Sequence, residues 1–310
     1  MRGHPYALME AADLLARCAF PSPGTAVDCA VSGGPDSLAL LVLAVEAGLI
    51  VTAWHVDHGL RPGSDAEGER VAVVADSLGA AAVSVTAMVG DGPNLEARAR
   101  EARLDALPDG VLTGHTADDQ AETVLLNLLR GSGVHGSAGI GDPGRRPLLG
   151  LRRSETRALC VACGLEPLDD PMNDDPRFVR NRIRNEVLPL LAEVSDRDPV
   201  PLLARHAKLA GEAVVLLDAL IADINPTDAR TLAGLSPELA RLALRGWLTG
   251  LLGGRPPDAA AIDRVFDVAG GWSVRPRWPA GCASSAHGVG CGRFRRAGTS
   301  MADARVALHG

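Results

Sequence analysis

Lysine is almost absent. The 310 residues contain one, Lys208, so 30 of the 31 basic side chains are arginine. No GxxxxGK[ST] phosphate loop can exist, and any lysine nucleophile or Schiff base would have to rest on Lys208 alone. Cysteine is also scarce, and six in a chain of this length make no disulfide framework. Cys160 and Cys163 form a CxxC that could ligate a metal, but Cys282 and Cys291 have the wrong spacing to complete a zinc ribbon. The pair falls in SETRALCVACG, which reads as a short helix capped by Ser154 and stopped by Gly164, where cysteines pack as small apolar residues. Long apolar runs are missing as well. The longest, Leu38 to Val45, is too short to span a bilayer and is followed by Glu46. The opening MRGHPYALMEAADLLAR has no apolar core of signal-peptide length. A cytoplasmic protein without membrane contact is the expectation.

A net positive charge is the last absence. With 38 acids against 31 bases, the net charge of −7 argues against indiscriminate coating of nucleic acid. The acidity is uneven: residues 1–150 hold 10 basic and 19 acidic side chains, whereas residues 151–310 hold 21 and 19. At 46% hydrophobic and 22% charged, the chain can bury a full core.

Strand and helix signals alternate between residues 25 and 130. TAVDCAVS, LIVTAWHV, AAVSVTAM and GVLTGH read as four strands. PDSLALLVLAVEAG, a segment capped by Ser64 with Glu67, the segment opened by Asn94, and DDQAETVLLNLLR read as helices. That alternation predicts an α/β fold: a parallel sheet with helices on both faces, with ligands beyond the carboxyl ends of its strands. The loops at 32–37, 55–63 and 114–122 should converge there. From about residue 198 the pattern turns helical, and the last forty residues read as a short β-hairpin or tail. The expected division is a catalytic domain over 1–215 and a small, mainly helical domain over 216–310.

Four segments carry chemistry. Strand–Ser32-Gly33-Gly34-Pro35-Asp36-Ser37–helix suits an anion held by backbone amides and a helix N-terminus. An acid in a lysine-free anion loop suggests phosphate bridged by Mg²⁺, with Asp36 as the ligand; the alternative is an ordinary glycine turn. On a helix, His115, Asp118, Asp119 and Glu122 would share one face, able to hold a metal or a cationic substrate, or merely complementing the helix dipole. HVDHGLRPGS at 55–64 reads as a loop closing over a nucleotide rather than a metal triad. Arginines cluster at 145–157 and 177–184, where forked guanidiniums suit phosphates, with Asp169, Asp170, Asp174 and Asp175 between them. A solvated salt-bridge surface is the alternative.

Together these segments resemble the tRNA(Ile)-lysidine synthase family of the PP-loop (N-type ATP pyrophosphatase) superfamily. SGGPDS at 32–37 alone fits any PP-loop enzyme. HVDHGLRPGS, NLEARAREAR at 94–103, TGHTADDQAETVLLNLLRGSG at 113–133, RPLL at 146–149 and DDPMNDDPRFVRNRIRNEVLP at 169–189 make the match specific and collinear over about residues 25–190. Leu104, where the family often has an aromatic residue, and His135, where an apolar one is usual, depart from the pattern.

The resemblance implies a Rossmann-like, adenine nucleotide alpha hydrolase-like fold followed by a small helical domain. It implies an ATP-dependent ligase that adenylates the C2 oxygen of the wobble cytidine in a CAU-anticodon isoleucine tRNA, then joins free L-lysine there. It further implies ATP held by Ser32, Gly33, Gly34, Pro35, Asp36, Ser37 and His55, with Mg²⁺ on Asp36. Asp119 and Glu122 would take lysine's ammonium and Arg100 its carboxylate, with Asp36, Asp119 and Arg100 as catalytic residues and Arg103 a further matching arginine. Arg152, Arg153, Arg180, Arg182 and Arg184 would contact tRNA, aided by the C-terminal domain, and a homodimer is the assembly the family suggests. Two other readings are a PP-loop enzyme of the tRNA 2-thiolating type, which would want cysteines near the loops, and a nucleotide-binding module without turnover.

Overall fold

The computed structural model describes residues 11–57, 65–87, 102, 105–168, 175–254 and 256–269. They divide between Glu212 and Ala213 into two compact units. In the first, strands β1 (Ala26–Ala30), β2 (Ile50–Asp57) and β3 (Ala81–Thr86) form a parallel sheet in that order. Cys29 pairs with Ala53, and Trp54 with Val83. Parallel neighbours need crossovers, which helices α1 (Pro35–Glu46) and α2 (Asp65–Ser77) supply. Every residue of α1 from Ser37 to Ala44 is buried. A helix apolar on all sides belongs inside a core rather than on its surface. Leu40, Leu41 and Leu43 are accordingly fully buried beside Val31, Val51 and Leu148.

The fourth strand expected from GVLTGH is reduced to a single bridge, Leu112 beside Cys29. The Leu112 N–H donates to the Asp28 carbonyl (2.8 Å), and the Ala30 N–H donates to the Leu112 carbonyl (2.9 Å). Gly110, in the left-handed region at φ 80°, turns the chain just before it. Just after it, the Thr113 N–H turns to the Arg145 carbonyl (2.9 Å), so pairing with β1 cannot extend.

Helix α3 (Ala117–Leu129) starts at its N-cap Thr116. Helix α4 (Arg153–Ala162) packs on α1, and its N-cap is Arg152, not Ser154. The orphan amides at that start find other acceptors: Glu155 takes the Arg152 N–H (2.8 Å) and Asp118 the Arg153 N–H (2.8 Å). One turn of helix α5 (Val179–Arg182) runs into a π turn over Ile183–Val187 and then helix α6 (Leu188–Ser195). A second small core joins Ala117 and Ala121 of α3 to Ile183, Leu188 and Val200.

The division between the units falls within helix α7 (Pro199–Ile221). The second unit holds α8 (Ala229–Ala233), α9 (Pro237–Leu251) and α10 (Ala259–Ala269). Asp228 and Ser236 cap α8 and α9 by accepting backbone amides. Leu232, Leu244, Leu248, Ile262 and Val265 form its core. Of the helix expected after Asn94, Ala102, Asp105 and Ala106 are described and are helical, whereas its remaining start, the Ser64 cap and the C-terminal hairpin or tail lie outside the described residues. Among those described, no helix is long and apolar enough to cross a membrane.

Candidate active site

The β1–α1 turn is tightly built. Gly33 sits at φ 87°, which an L side chain rarely adopts, and a Cβ there would lie 2.5 Å from the Leu168 side chain. The Gly33 carbonyl in turn accepts the Leu168 N–H (2.9 Å). Ser37 staples the turn to itself: its hydroxyl donates to the Gly34 carbonyl (2.9 Å) and accepts the Ser32 N–H (3.2 Å). Pro35 occupies the first turn of α1, and Asp36 follows it there. The first-turn amides of a helix have no partner within it, so they and the helix dipole favour an anion at this end.

Three elements meet at Asp36. The Gly114 backbone passes so close that a Cβ would stand 2.5 Å from the Asp36 carbonyl oxygen. The buried Thr156 hydroxyl of α4 donates to Asp36 Oδ1, and Arg153 Nε approaches Oδ2 at 3.4 Å. Burial pushes the Asp36 carboxyl above its ordinary range, and the Thr156 and Arg153 bonds offset that only in part.

The acidic start of α3 is met by arginine. Asp119 Oδ2 accepts the Thr116 N–H (2.8 Å) and O–H (2.9 Å), while Oδ1 accepts from Arg153 Nη2 (2.8 Å) and Arg180 Nη2 (3.2 Å). Glu122 has a fully buried side chain and receives three guanidiniums: Arg153 at 3.0 Å, Arg180 at 2.7 Å and Arg184 at 2.7 Å. Burial opposes ionisation of both acids, yet Arg153 and Arg180 around Asp119, and Arg184 and Arg153 around Glu122, hold them below the usual carboxylate range. Burial would lower the Arg153 pKa, but Asp119, Glu122 and Asp36 raise it instead. Arg152 pairs with Asp118 at 3.0 Å and with Asp198. Beside this network a cleft of about 470 Å³ opens, lined by Asp118, Glu122, Arg152, Arg184, Leu188 and Val200 among others.

The loops at 32–37 and 114–122 therefore converge, joined through the single guanidinium of Arg153. Four of the five arginines expected at phosphates, Arg152, Arg153, Arg180 and Arg184, turn onto these acids. Arg182 faces outward, its side chain 59% exposed and paired with Glu186 four residues on. Asp175 clasps Arg177, the first arginine of the 177–184 cluster, at 2.6 Å. His55 is buried, its Nδ1 3.0 Å from the Val31 carbonyl. With an acceptor opposite, that nitrogen must carry the proton. His115 does not share the helical face with Asp118, Asp119 and Glu122: α3 begins two residues later, and the His115 ring meets the Thr113 hydroxyl (2.8 Å). Arg100, Arg103, Leu104, His58, Asp169, Asp170 and Asp174 lie outside the described residues.

Sequence reasoning missed Thr156. Cys160 is buried in a helix as expected, and its thiol donates to the Pro35 carbonyl (3.4 Å). Burial pushes this thiol up to about 12, so it is protonated at neutral pH and inert as a nucleophile. The helical spacing Arg153, Thr156, Cys160 was the available signal, since those three lie along one face of α4.

Comparison with known proteins bears on both units. Residues 9–191 match the family model of the PP-loop domain, and residues 228–296 match that of the TilS substrate binding domain. The chain is 46% identical to the tRNA(Ile)-lysidine synthase of Nocardia farcinica over 245 residues, covering 74% of this chain and 77% of that protein. It is 48% identical to the enzyme of that name from Mycolicibacterium paratuberculosis over 234 residues, covering 71% and 73%. Among solved structures it is similar to the U34-tRNA thiolase NcsA from Methanococcus maripaludis, at 16% identity and a TM-score of 0.49, covering 67% of this chain and 79% of that one.

Proposed function

The chain belongs to the tRNA(Ile)-lysidine synthase family of PP-loop enzymes, and from that premise we propose how its site does the chemistry. It is an ATP-dependent ligase that modifies tRNA: it joins free L-lysine to C2 of the wobble cytidine in the CAU-anticodon isoleucine tRNA. The observation that carries the site assignment is the shared guanidinium: Arg153 touches Asp36 of the anion loop and Asp119 and Glu122 of α3 at once. This contact supports placing the proposed phosphate site beside the proposed cation site.

In this reading the turn at 32–37 takes the pyrophosphate end of ATP through backbone amides and the α1 N-terminus. The cytidine C2 oxygen attacks the α-phosphorus and pyrophosphate leaves. The lysine side-chain amine then attacks C2 and AMP leaves. The described residues contain no group of three His, Cys, Asp or Glu able to cage a metal. Mg²⁺ commonly needs only one or two carboxylates beside substrate phosphates, so Asp36 at the anion loop fits it. Bound there, Mg²⁺ would offset phosphate charge. Asp119 and Glu122 would receive the lysine ammonium in exchange for a guanidinium, with Arg100 on the carboxylate. Arg182, whose side chain faces outward, would meet tRNA phosphate, and the second unit would grip tRNA further. A homodimer is the assembly we would test first. Because catalysis is mainly the placement of two substrates beside an activated base, positioning supplies most of the rate.

The test is pyrophosphate release by the purified protein. It should require the CAU-anticodon isoleucine tRNA and should continue past a single turnover only when lysine is also present, with labelled lysine entering the tRNA. ATP turnover without lysine transfer would overturn the lysidine assignment and leave ATP chemistry standing.

A further inference from the structure

We infer that Thr156 is a positioning residue for the nucleotide site: its buried hydroxyl fixes one carboxylate oxygen of Asp36, so that Asp36 meets a cation through the other. This rests on the reading that Asp36 serves a Mg²⁺–ATP complex.

Thr156 is fully buried, and its Oγ1 lies against Asp36 Oδ1 and 2.9 Å from the Arg153 carbonyl. A hydroxyl has one proton to give. The charged carboxylate competes for it better than the neutral carbonyl, because charge-assisted hydrogen bonds are about twice as strong. Oδ1 is thereby occupied from within the protein. Oδ2 is the oxygen that Arg153 approaches at 3.4 Å, the loosest of that guanidinium's acidic contacts.

The backbone around Asp36 is held by the same helix and by its neighbour. One turn beyond Thr156, the Cys160 thiol donates to the Pro35 carbonyl, the residue before Asp36. On another side the bare Gly114 backbone abuts the Asp36 carbonyl. With main chain pinned at both residues, the remaining freedom of Asp36 is rotation of its side chain. Thr156 is the group that removes it. Without the hydroxyl, the carboxylate could swing fully onto Arg153 and turn away from the phosphate loop.

The experiment measures equilibrium binding of ATP to the full chain, once with Mg²⁺ and once with EDTA. Thr156→Val removes the hydroxyl at nearly constant volume, Thr156→Ser keeps it, and Thr156→Ala is the second hydroxyl-free variant should valine disturb folding. Loss of a charge-assisted bond predicts about a tenfold drop in Mg²⁺–ATP affinity for the valine and alanine variants, with metal-free ATP changed less than about twofold and serine close to wild type. Mg²⁺–ATP binding unchanged in both hydroxyl-free variants would overturn the inference. So would an equal loss with and without Mg²⁺, or a serine variant as weak as valine. Wild-type protein that binds Mg²⁺–ATP no better than ATP alone would overturn it too. Lysine transfer to tRNA is followed on the same wild-type preparation. Its absence would remove the ligase reading while the binding series still decides the role of Thr156.

Discussion

Replacing Glu122 by Gln keeps the side chain's shape and removes its charge. Three guanidiniums then face a neutral amide where a carboxylate accepted from Arg153, Arg180 and Arg184. Breaking a buried ion pair from one side costs about 3–5 kcal/mol. The three arginines keep 23%, 32% and 25% of their side chains exposed, so water recovers part of that and the lower end applies. At about 2–4 °C per kcal/mol for a unit of this size, the melting temperature should fall by roughly 6–12 °C.

The pH dependence gives an independent readout of Glu122→Gln. Glu122 titrates below its ordinary value of 4.5 in the folded protein, because Arg184 and Arg153 outweigh burial. A depressed acid stabilises fully above its unfolded pKa, and loses that contribution as pH falls through the folded one. Wild type should therefore lose stability on acidification below about pH 5, and Glu122→Gln should lose less over that window. Thermal melts followed by circular dichroism from neutral pH downward would check both. A variant melting within about 2 °C of wild type at neutral pH, with the same acid slope, would refute the hub assigned to Glu122. In lysine-transfer assays the same variant should need more lysine.

Two further outcomes follow from the geometry. Gly114→Ala should destabilise by about 1–3 kcal/mol, because its Cβ would press on main chain that cannot retreat, and should weaken ATP binding; a wild-type melt and nucleotide affinity would contradict the close approach to Asp36. Arg182→Ala should leave the melting temperature close to that of wild type, since its partner Glu186 is itself exposed, yet lower the salt slope of tRNA binding by about one; an unchanged slope would remove Arg182 from the tRNA contact.

The sheet was readable because each parallel strand is a short apolar run, and α1 because it is apolar on every face. GVLTGH misled because its composition is that of a strand, whereas Gly110 and the turn of Thr113 toward Arg145 shorten its pairing to one residue. Ser154 misled because capping preference is local, while the acceptor for the Arg153 amide is Asp118, 35 residues away. Of the site, the glycine turn at 32–37 and the acidic start of α3 are local motifs, and their conformations could be read. Which arginines face those acids could not, since Arg153, Arg180 and Arg184 reach Glu122 across 31, 58 and 62 residues. A cluster of arginines has the same letters whether it meets phosphate or carboxylate. Only the path of α4 and the π turn after α5 settles its direction.

The ion pairs around α3 have a thermodynamic consequence. Asp36, Asp118, Asp119 and Glu122 are matched by Arg152, Arg153, Arg180 and Arg184, so the site is close to electroneutral before any substrate enters. On the proposed function it would work as an ion exchanger rather than as an empty negative socket. A cation binding there would have to release a guanidinium, and its affinity would be the difference between two desolvated pairings. The released guanidinium would then be available to an anion, so that loading the site with positive charge would free a positive group for phosphate.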